Sequence, residues 1–439
     1  MKPMIPNARK INPGFLTLCM FFLLVTGLSE TMKASSFFQE QQDQKQTSFT
    51  QYKGEVRDSG TRKPLIFATL TVEGTNISTV TNTEGNFLLK IPQGITTKNL
   101  LVSFLGYKSK TVAIATLTET NNIIQLDVSV TELPEVNISV PKNARTLVKE
   151  TMRKKGENYF TDPTVMTAFY RETIKKRRKN VSLSEAVVTI FKTPYTSSRR
   201  DAVQLYKARK STDYSKLDTL VLKLQGGPFN ALYVDVMKYP EYIFTEEAMN
   251  DYNFSIDRST RINDRLIYVI NFQQKDDIKT PLYQGKLFID IENKVLTSAI
   301  YSLNITDRAM ASRLFVRKKP RNAKVYPTQV AYRVNYREKN GKWYYGYSNA
   351  LLEFKINWDK KLFNSVYSMT CEMAVTDWEK NIDTKEPKFK DRLRSSVILV
   401  DETIGFSDPD FWGQYNIIEP EKSIESAIKK IQRQLKKGQ

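Results

Sequence analysis

The sequence predicts a mainly β protein with an α+β second domain: an N-terminal sandwich of seven strands precedes an antiparallel-sheet domain with flanking helices. Between residues 51 and 129, short runs of alternating apolar residues are separated by turn residues, as in small sandwiches. Later segments alternate in the same way, and Asn340-Gly341 joins two of them with the strongest short hairpin signal. The 22 Tyr and 23 Phe residues also favour strands.

The first 29 residues have the pattern of a signal peptide. Basic residues near the start precede an uncharged run from Phe15 to Leu28, and small residues follow it. The run is short for a membrane span, which needs about 20 residues. We therefore expect residues 1–29 to direct export to the periplasm or outer membrane, with a retained anchor as the alternative. Residues 30–50 are rich in Gln, Ser and Thr and are expected to form a disordered spacer.

Residues 51–129 are predicted to form the sandwich. Apolar side chains alternate along three segments, which is the pattern of half-buried strands, and glycine-containing turns separate these segments. The alternating residues are Ile66, Ala68, Leu70 and Val72, then Phe87, Leu89 and Ile91, then Leu100, Val102 and Phe104. Such closely spaced strands indicate a small sandwich.

Several motifs in this segment match a known family. They are Gly54-Glu55-Val56-Arg57-Asp58, Pro64-Leu65, Val72-Glu73-Gly74-Thr75, Thr81-Asn82-Thr83-Glu84-Gly85-Asn86-Phe87 and Ser103-Phe104-Leu105-Gly106-Tyr107. With them the segment resembles the carboxypeptidase regulatory-like (prealbumin-like) domain of Bacteroidetes envelope proteins. The resemblance implies a seven-stranded sandwich without catalytic residues. The family usually has Asp where this chain has Asn82.

A linker over residues 130–142 is predicted to lead into the second domain, residues 143–439. Asn143 is a suitable cap for a first helix that ends at Gly156. The following segments resemble the region after this sandwich in longer Bacteroidetes outer-membrane proteins of unknown function. They include Phe169-Tyr170-Arg171-Glu172, Ser184-Glu185-Ala186, Lys192-Thr193-Pro194-Tyr195 and Phe411-Trp412-Gly413-Gln414-Tyr415-Asn416. A C-terminal helix is expected from the apolar stripe of Ile424, Ile428, Ile431 and Leu435.

The clearest hairpin of the second domain is predicted between Val330 and Leu351. Two-residue closure places Tyr336 opposite Tyr345 and Val334 opposite Tyr347, so that the aromatic side chains share one face. Tyr and Trp combine large contact areas with polar tips, which suits glycans or lipids. We therefore predict a ligand-binding face made of Tyr332, Tyr336, Trp343, Tyr345 and Tyr347. Consecutive antiparallel strands with one aromatic face also resemble the half-barrel of periplasmic lipoprotein carriers.

The absence of histidine excludes several catalytic classes. Ser-His-Asp and Cys-His arrangements need an imidazole base, and common zinc sites need its ring nitrogens. Removal of the leader would leave Cys371 as the single cysteine, expected to be a small buried hydrophobe. We predict neither a catalytic residue nor a metal site nor a cofactor.

Pairs of carboxylates leave one catalytic alternative open. They occur at Asp276-Asp277, Asp401-Glu402 and Asp408-Pro409-Asp410. Two acids at a suitable distance could hydrolyse a glycosidic bond, but neighbouring positions in sequence do not establish that geometry. A carboxylate-based hydrolase is therefore a lesser hypothesis.

The chain is strongly basic, with a formal net charge of +20. For an exported protein, such a charge favours anionic lipid headgroups, glycans or cell-wall polymers as partners over nucleic acid. We predict a non-catalytic binding or scaffold protein of the periplasm or outer-membrane surface that contacts another envelope protein, a glycan or an anionic lipid surface, with peripheral membrane association. The alternative is a half-barrel carrier of a lipid or other apolar ligand.

Overall fold

The computed structural model describes residues 22–26, 48–129, 143–177, 179–212, 221–262, 265–319, 321–359, 364–384, 386–405, 411–422 and 424. Most of the predicted signal peptide and spacer, the whole linker 130–142, the Asp408–Asp410 pair and the helix beyond Ile424 therefore lie outside the described residues. Residues Phe22–Thr26, within the predicted signal peptide, form a strand, β1.

Seven strands form the N-terminal sandwich, as the sequence predicted. They are β2 (Phe49–Asp58), β3 (Thr69–Val72), β4 (Ser78–Val80), β5 (Asn86–Pro92), β6 (Asn99–Ser103), β7 (Lys110–Ala113) and β8 (Asn122–Leu126). One sheet has the order β5-β2-β8 and the other β4-β3-β6-β7. Alternating residues such as Leu70, Phe87 and Val102 are fully buried between the sheets. Gly85 has a φ of +76°, and a Cβ there would lie 2.6 Å from the Cβ of Pro64, so the turn requires glycine.

The second domain begins with two helices and continues mainly as strands. Its elements are α1 (Ala144–Arg153), α2 (Lys155–Asn158), β9 (Thr164–Lys176), β10 (Lys179–Lys192), β11 (Ala202–Thr212), β12 (Val221–Gln225), α3 (Phe229–Leu232), β13 (Tyr252–Ile262), β14 (Arg265–Gln274), β15 (Tyr283–Asp290), β16 (Val295–Leu303), α4 (Arg308–Phe315), β17 (Val316–Lys318), β18 (Ala323–Lys339), β19 (Lys342–Trp358), β20 (Ser365–Lys380) and β21 (Ile404–Gly405). The Asn143 side chain caps α1 by accepting from the backbone N–H groups of Arg145 and Thr146. The helix ends at Arg153 rather than at the expected Gly156.

Eleven strands form one large sheet in the order β13-β14-β15-β16-β18-β19-β20-β9-β10-β11-β21. All its ladders are antiparallel except the short parallel pairing of β11 with β21. A separate small sheet places β1 between β12 and β17. The chain is thus mainly β with an antiparallel second domain, and the predicted fold class is confirmed. Within the described residues, no helix has the length and apolar character of a membrane span.

The two faces of the large sheet have different coverings. We call the inner face the one that bears Met166, Ala168 and Tyr170 of β9, which belong to the largest apolar core. Residues 226–251, including α3, supply a series of buried aromatic and aliphatic side chains to this core. The outer face bears Phe169 and Val187, which pack in a second apolar cluster with sandwich residues. The sheet is therefore covered on both sides along its central strands.

Candidate functional site

The predicted hairpin forms, but its register differs from the prediction. Tyr336 lies opposite Tyr345 as expected, whereas Val334 pairs with Ser348 and not with Tyr347. The pairing shifts between Asn335 and Tyr336, so that Gly346 is an extra residue. Tyr347 consequently packs in the outer-face cluster, and the prediction of one shared aromatic face is wrong.

Four of the five predicted ligand-binding residues are buried. Tyr332, Tyr336 and Tyr345 lie in the inner-face core, and Tyr347 is 1% exposed on the outer face. Trp343 is only partly buried and packs against the inner-face core. The ring of Tyr332 stacks on that of Tyr301 within the protein, with centroids 5.1 Å apart. The inner face is filled at these positions, so a ligand could not reach them without displacing protein side chains.

A buried group that we call the inner charge cluster lies on the inner face. It consists of Lys192 at the end of β10 and the carboxylates of Asp201 and Asp235. The Lys192 Nζ lies 2.8 Å from Oδ2 of each carboxylate. Burial opposes the charge of Lys192, but the two carboxylates outweigh burial and raise its pKa. The amine therefore stays protonated at neutral pH, which makes it a structural cation and not a nucleophile.

Tyrosine hydroxyls complete the inner charge cluster. Tyr195 and Tyr336 donate to Asp235 at 3.1 and 2.9 Å, and Tyr239 donates to Asp201 at 2.7 Å. Burial raises the pKa of each of these phenols well above its usual value, so they remain donors. The phenol donors therefore stabilise the two carboxylates together with Lys192. Tyr336, predicted to touch a ligand, thus binds a buried carboxylate of its own chain.

A second buried group, the outer charge cluster, lies on the outer face and consists of Arg171, Glu185, Arg209 and Glu372. Arg171 Nε donates to Glu185 Oε1 at 2.8 Å, and its Nη1 lies 3.2 Å from Glu372 Oε1. Arg209 Nε donates to the other oxygen of Glu185 at 2.8 Å. Burial opposes the charge of Glu185, but the two arginines lower its pKa on balance. The remaining Arg171 nitrogen, Nη2, donates to the carbonyl of Ile418 at 2.7 Å.

This last bond joins the sheet to what we call the C-terminal segment, Phe411–Glu421. Lys207 Nζ donates to the Phe411 carbonyl at 2.7 Å, and the Arg209 guanidinium lies 4.8 Å from the ring centroid of Trp412. Lys175 and Glu421 form an ion pair at 3.4 Å. Basic side chains of the outer face therefore hold the segment at both ends.

The opposite side of the C-terminal segment binds the sandwich. Asn416 exchanges two hydrogen bonds with the backbone of Lys90, at 2.7 and 3.0 Å. The Thr79 hydroxyl donates to the Ile417 carbonyl at 3.1 Å. The segment thus lies between the sandwich and the sheet, and apolar residues of all three parts form one core. The buried members are Val80, Leu88, Phe169, Val187, Tyr347, Ala374, Trp412, Ile417 and Ile418.

Asn82, where the resembling family has Asp, has a role in this junction. Its Oδ1 accepts from the backbone N–H groups of Glu84 and Asn86, both at 2.9 Å. Its Nδ2 donates to the carbonyl of Glu419 at 3.0 Å. An aspartate could make the first two bonds but not the third, because it has no N–H group.

The sandwich also contacts the sheet directly. Arg337 Nη1 donates to Ser78 Oγ at 2.5 Å and to the Val375 carbonyl at 2.9 Å. Its aliphatic stem lies over Gly346, where an added Cβ would come within 2.7 Å of the arginine Cγ. The ring of Phe67 stacks on Tyr347 with centroids 4.8 Å apart. The hairpin irregularity at Gly346 therefore makes room for a residue that joins the two domains.

Glu172 is a buried carboxyl group on β9, outside both charge clusters. Burial raises its pKa to about 8, while the Tyr170 hydroxyl, which donates to it at 3.0 Å, opposes the rise. Cys371 lies opposite Glu172 in the sheet register and is fully buried. Burial raises the pKa of its thiol well above the usual value, so the thiol is not a reactive nucleophile.

The two carboxylate pairs within the described residues are exposed. Asp276 and Asp277 are exposed in a loop, and Asp401 and Glu402 are exposed around a short 3₁₀ turn. Asp408–Asp410 lies outside the described residues. Within the described ranges, no three His, Cys, Asp or Glu side chains are grouped as they would be around a metal ion.

Arg171, Glu185 and Lys192 lie in the segments that carry the resemblance of the second domain, but the sequence predicted no role for them. One signal could have identified them: each is a charged residue next to an apolar run of its strand. Such positions require a buried partner, because an unpaired charge in a core is costly. The partners themselves are distant in sequence and could not be read from the strand.

Comparison with known proteins identifies the sandwich. Residues 52–138 match the CarboxypepD_reg-like domain, in agreement with the resemblance described above. No curated protein matches the chain. The match covers the N-terminal domain alone, so the second domain takes no family from it.

Solved structures show only low similarity to the chain. A DUF1329 family protein from Desulfovibrio piger is 8% identical, with a TM-score of 0.22 over 55% of this chain and 95% of its own. An outer membrane lipoprotein-sorting protein domain, so described, from Vibrio parahaemolyticus is 12% identical, with a TM-score of 0.24 over 56% and 96%. A membrane-associated protein of unknown function from Bacteroides fragilis is 9% identical, with a TM-score of 0.15 over 75% and 98%. These values are too low to transfer a function.

Proposed function

We propose that this protein is a non-catalytic binding or scaffold protein of the cell envelope, in which the sandwich and the large sheet act as one rigid unit. The observation that carries the proposal is the core shared by the sandwich, the C-terminal segment and the outer face. A sandwich fixed in this way presents its free surface at a constant position relative to the sheet. The signal-peptide pattern of residues 1–29 supports the envelope location.

The distribution of titratable groups supports a non-catalytic role. The inner and outer charge clusters are buried and internally paired, so their charges are used within the fold. Glu172 has a raised pKa, but its side chain is buried away from solvent. The described acid pairs that are adjacent in sequence are exposed. A carrier of apolar ligands is less well supported, because side chains of residues 226–251 fill the inner face.

The proposal is tested by two measurements on the purified protein. The first is turnover of chromogenic glycosides and peptide substrates by the wild type and by Glu172→Gln and Asp401→Asn. We expect no turnover above the buffer rate in any of the three. The second is affinity capture with cross-linking from envelope fractions, which should retain a specific envelope component. Turnover that Glu172→Gln abolishes in a folded protein would refute the non-catalytic role.

A further inference from the structure

The most exposed large apolar side chains among the described residues lie in one connection. Ile382 is 86% exposed and Phe389 is 84% exposed, whereas the next, Ile123, is 56% exposed. Both belong to residues 381–394, which follow β20 and which we call the β20 loop. Single exposed apolar residues are ordinary, but here the two highest exposures fall within eight positions of one loop.

The β20 loop is fixed to the domain at several points. The Asn381 N–H donates to the Pro163 carbonyl at 2.9 Å, and the Leu393 N–H donates to the Val203 carbonyl at 2.8 Å. Within the loop, Arg392 Nε donates to the Pro387 carbonyl at 2.9 Å. The exposed side chains therefore project from an anchored backbone, so little conformational entropy is lost when they are buried by a partner.

Basic residues flank Phe389, one of the two exposed apolar side chains. Lys388 and Lys390 flank Phe389, and both are exposed. Glu386 is paired with Arg199 and with Arg392, so its charge is compensated. Two further acids of the loop, Asp383 and Asp391, reduce the positive charge without cancelling it. The described basic residues of the loop are Lys388, Lys390, Arg392 and Arg394.

We propose that the β20 loop docks the protein on an anionic lipid bilayer, with Phe389 and Ile382 entering the boundary between headgroups and acyl chains. This inference rests on the proposed envelope location. An apolar side chain beside lysines suits such a surface, because the acyl chains that accept apolar side chains lie next to the charged headgroups. Basic residues near an anionic surface add an electrostatic attraction, which is screened by salt. Binding should therefore be weak, reversible and sensitive to ionic strength.

The test is sedimentation of the protein with vesicles of phosphatidylcholine alone or mixed with phosphatidylglycerol. The wild type should bind the mixed vesicles at low salt and bind neutral vesicles at least fivefold less. Phe389→Ala with Ile382→Ala should reduce binding to mixed vesicles at least fivefold. Lys388→Gln with Lys390→Gln should remove most of the preference for phosphatidylglycerol. Ile123→Ala, a matched change on the sandwich, should leave binding unchanged.

Insertion is measured separately with a tryptophan probe. The emission that Phe389→Trp adds to that of the four native tryptophans should shift to shorter wavelength on mixed vesicles and be quenched by brominated acyl chains. The emission that Ile123→Trp adds should show neither effect. Failure of the wild type to bind mixed vesicles, or equal binding by the double alanine variant, would overturn the inference. A protein partner at this loop, with no vesicle binding, would overturn it as well. Partner capture and substrate turnover do not depend on vesicles, so the proposed function stands or fails independently.

Discussion

The inner and outer charge clusters both consist of buried, paired ions, but they stabilise different parts of the protein. The inner charge cluster joins β10 to residues 201 and 235 of its own domain, with phenols as additional donors. The outer charge cluster joins β9, β10, β11 and β20 and then extends, through Arg171, to the C-terminal segment. The first stabilises the interior of a domain. The second positions a segment that binds another domain.

Replacement of Lys192 should have the largest effect on stability. Lys192→Met leaves two buried carboxylates without their cation, which costs about 3–5 kcal/mol when one partner of a buried pair is removed. Urea denaturation followed by the fluorescence of the four tryptophans measures the free energy of unfolding. Lys286→Met is the control, because Lys286 pairs with Asp257 at the surface, where an ion pair is worth about 1 kcal/mol or less. Equal effects of the two changes would contradict the structural role of the inner charge cluster.

Glu172 should make stability depend on pH. Its pKa is about 8 in the folded protein against a usual value of 4.5, so between these values the folded state retains a proton that the unfolded state has lost. This contribution to stability is complete below the usual pKa and declines as pH rises, by about 1.4 kcal/mol per pH unit.

The free energy of unfolding of the wild type relative to Glu172→Gln is therefore expected to fall between pH 5 and pH 8. Denaturation curves of both proteins at several pH values measure it. A difference that stays constant with pH would show that Glu172 is ionised in the folded protein.

Asn82→Asp is expected to have a smaller effect on stability, because the change lies at the junction between the sandwich and the C-terminal segment and not in the core of either domain. The variant loses the bond from Nδ2 to the Glu419 carbonyl and places a charge against that carbonyl, which costs about 1–3 kcal/mol. Hydrogen exchange should become faster in the C-terminal segment, while the exchange of β3 and β6 stays unchanged. Asn121→Asp, at an exposed turn of the sandwich, is the matched control and should alter neither.

The local elements could be predicted because their signals are local. The alternation of Phe87, Leu89 and Ile91 defines a sandwich strand, Asn143 caps α1, and Asn340-Gly341 closes the hairpin. These patterns depend on residues that are neighbours in sequence. They account for the predicted fold class.

The junction could not be predicted because its partners are distant in sequence. Arg171 pairs with Glu372 and binds the carbonyl of Ile418, which lie 201 and 247 residues away. The extra residue at Gly346 depends on the stem of Arg337, which binds a serine of the other domain. One such shift moves Tyr347 to the outer face and alters the predicted ligand site.

We propose that the sandwich and the large sheet form one rigid unit. Pulsed electron paramagnetic resonance between spin labels at Thr120 of the sandwich and Lys286 of the sheet tests it most directly, since Cys371 is buried and should not react. We expect a single narrow distance distribution for the wild type, broadened in Asn82→Asp. A broad or multiple distance distribution in the wild type would show that the domains move independently and do not form one rigid unit.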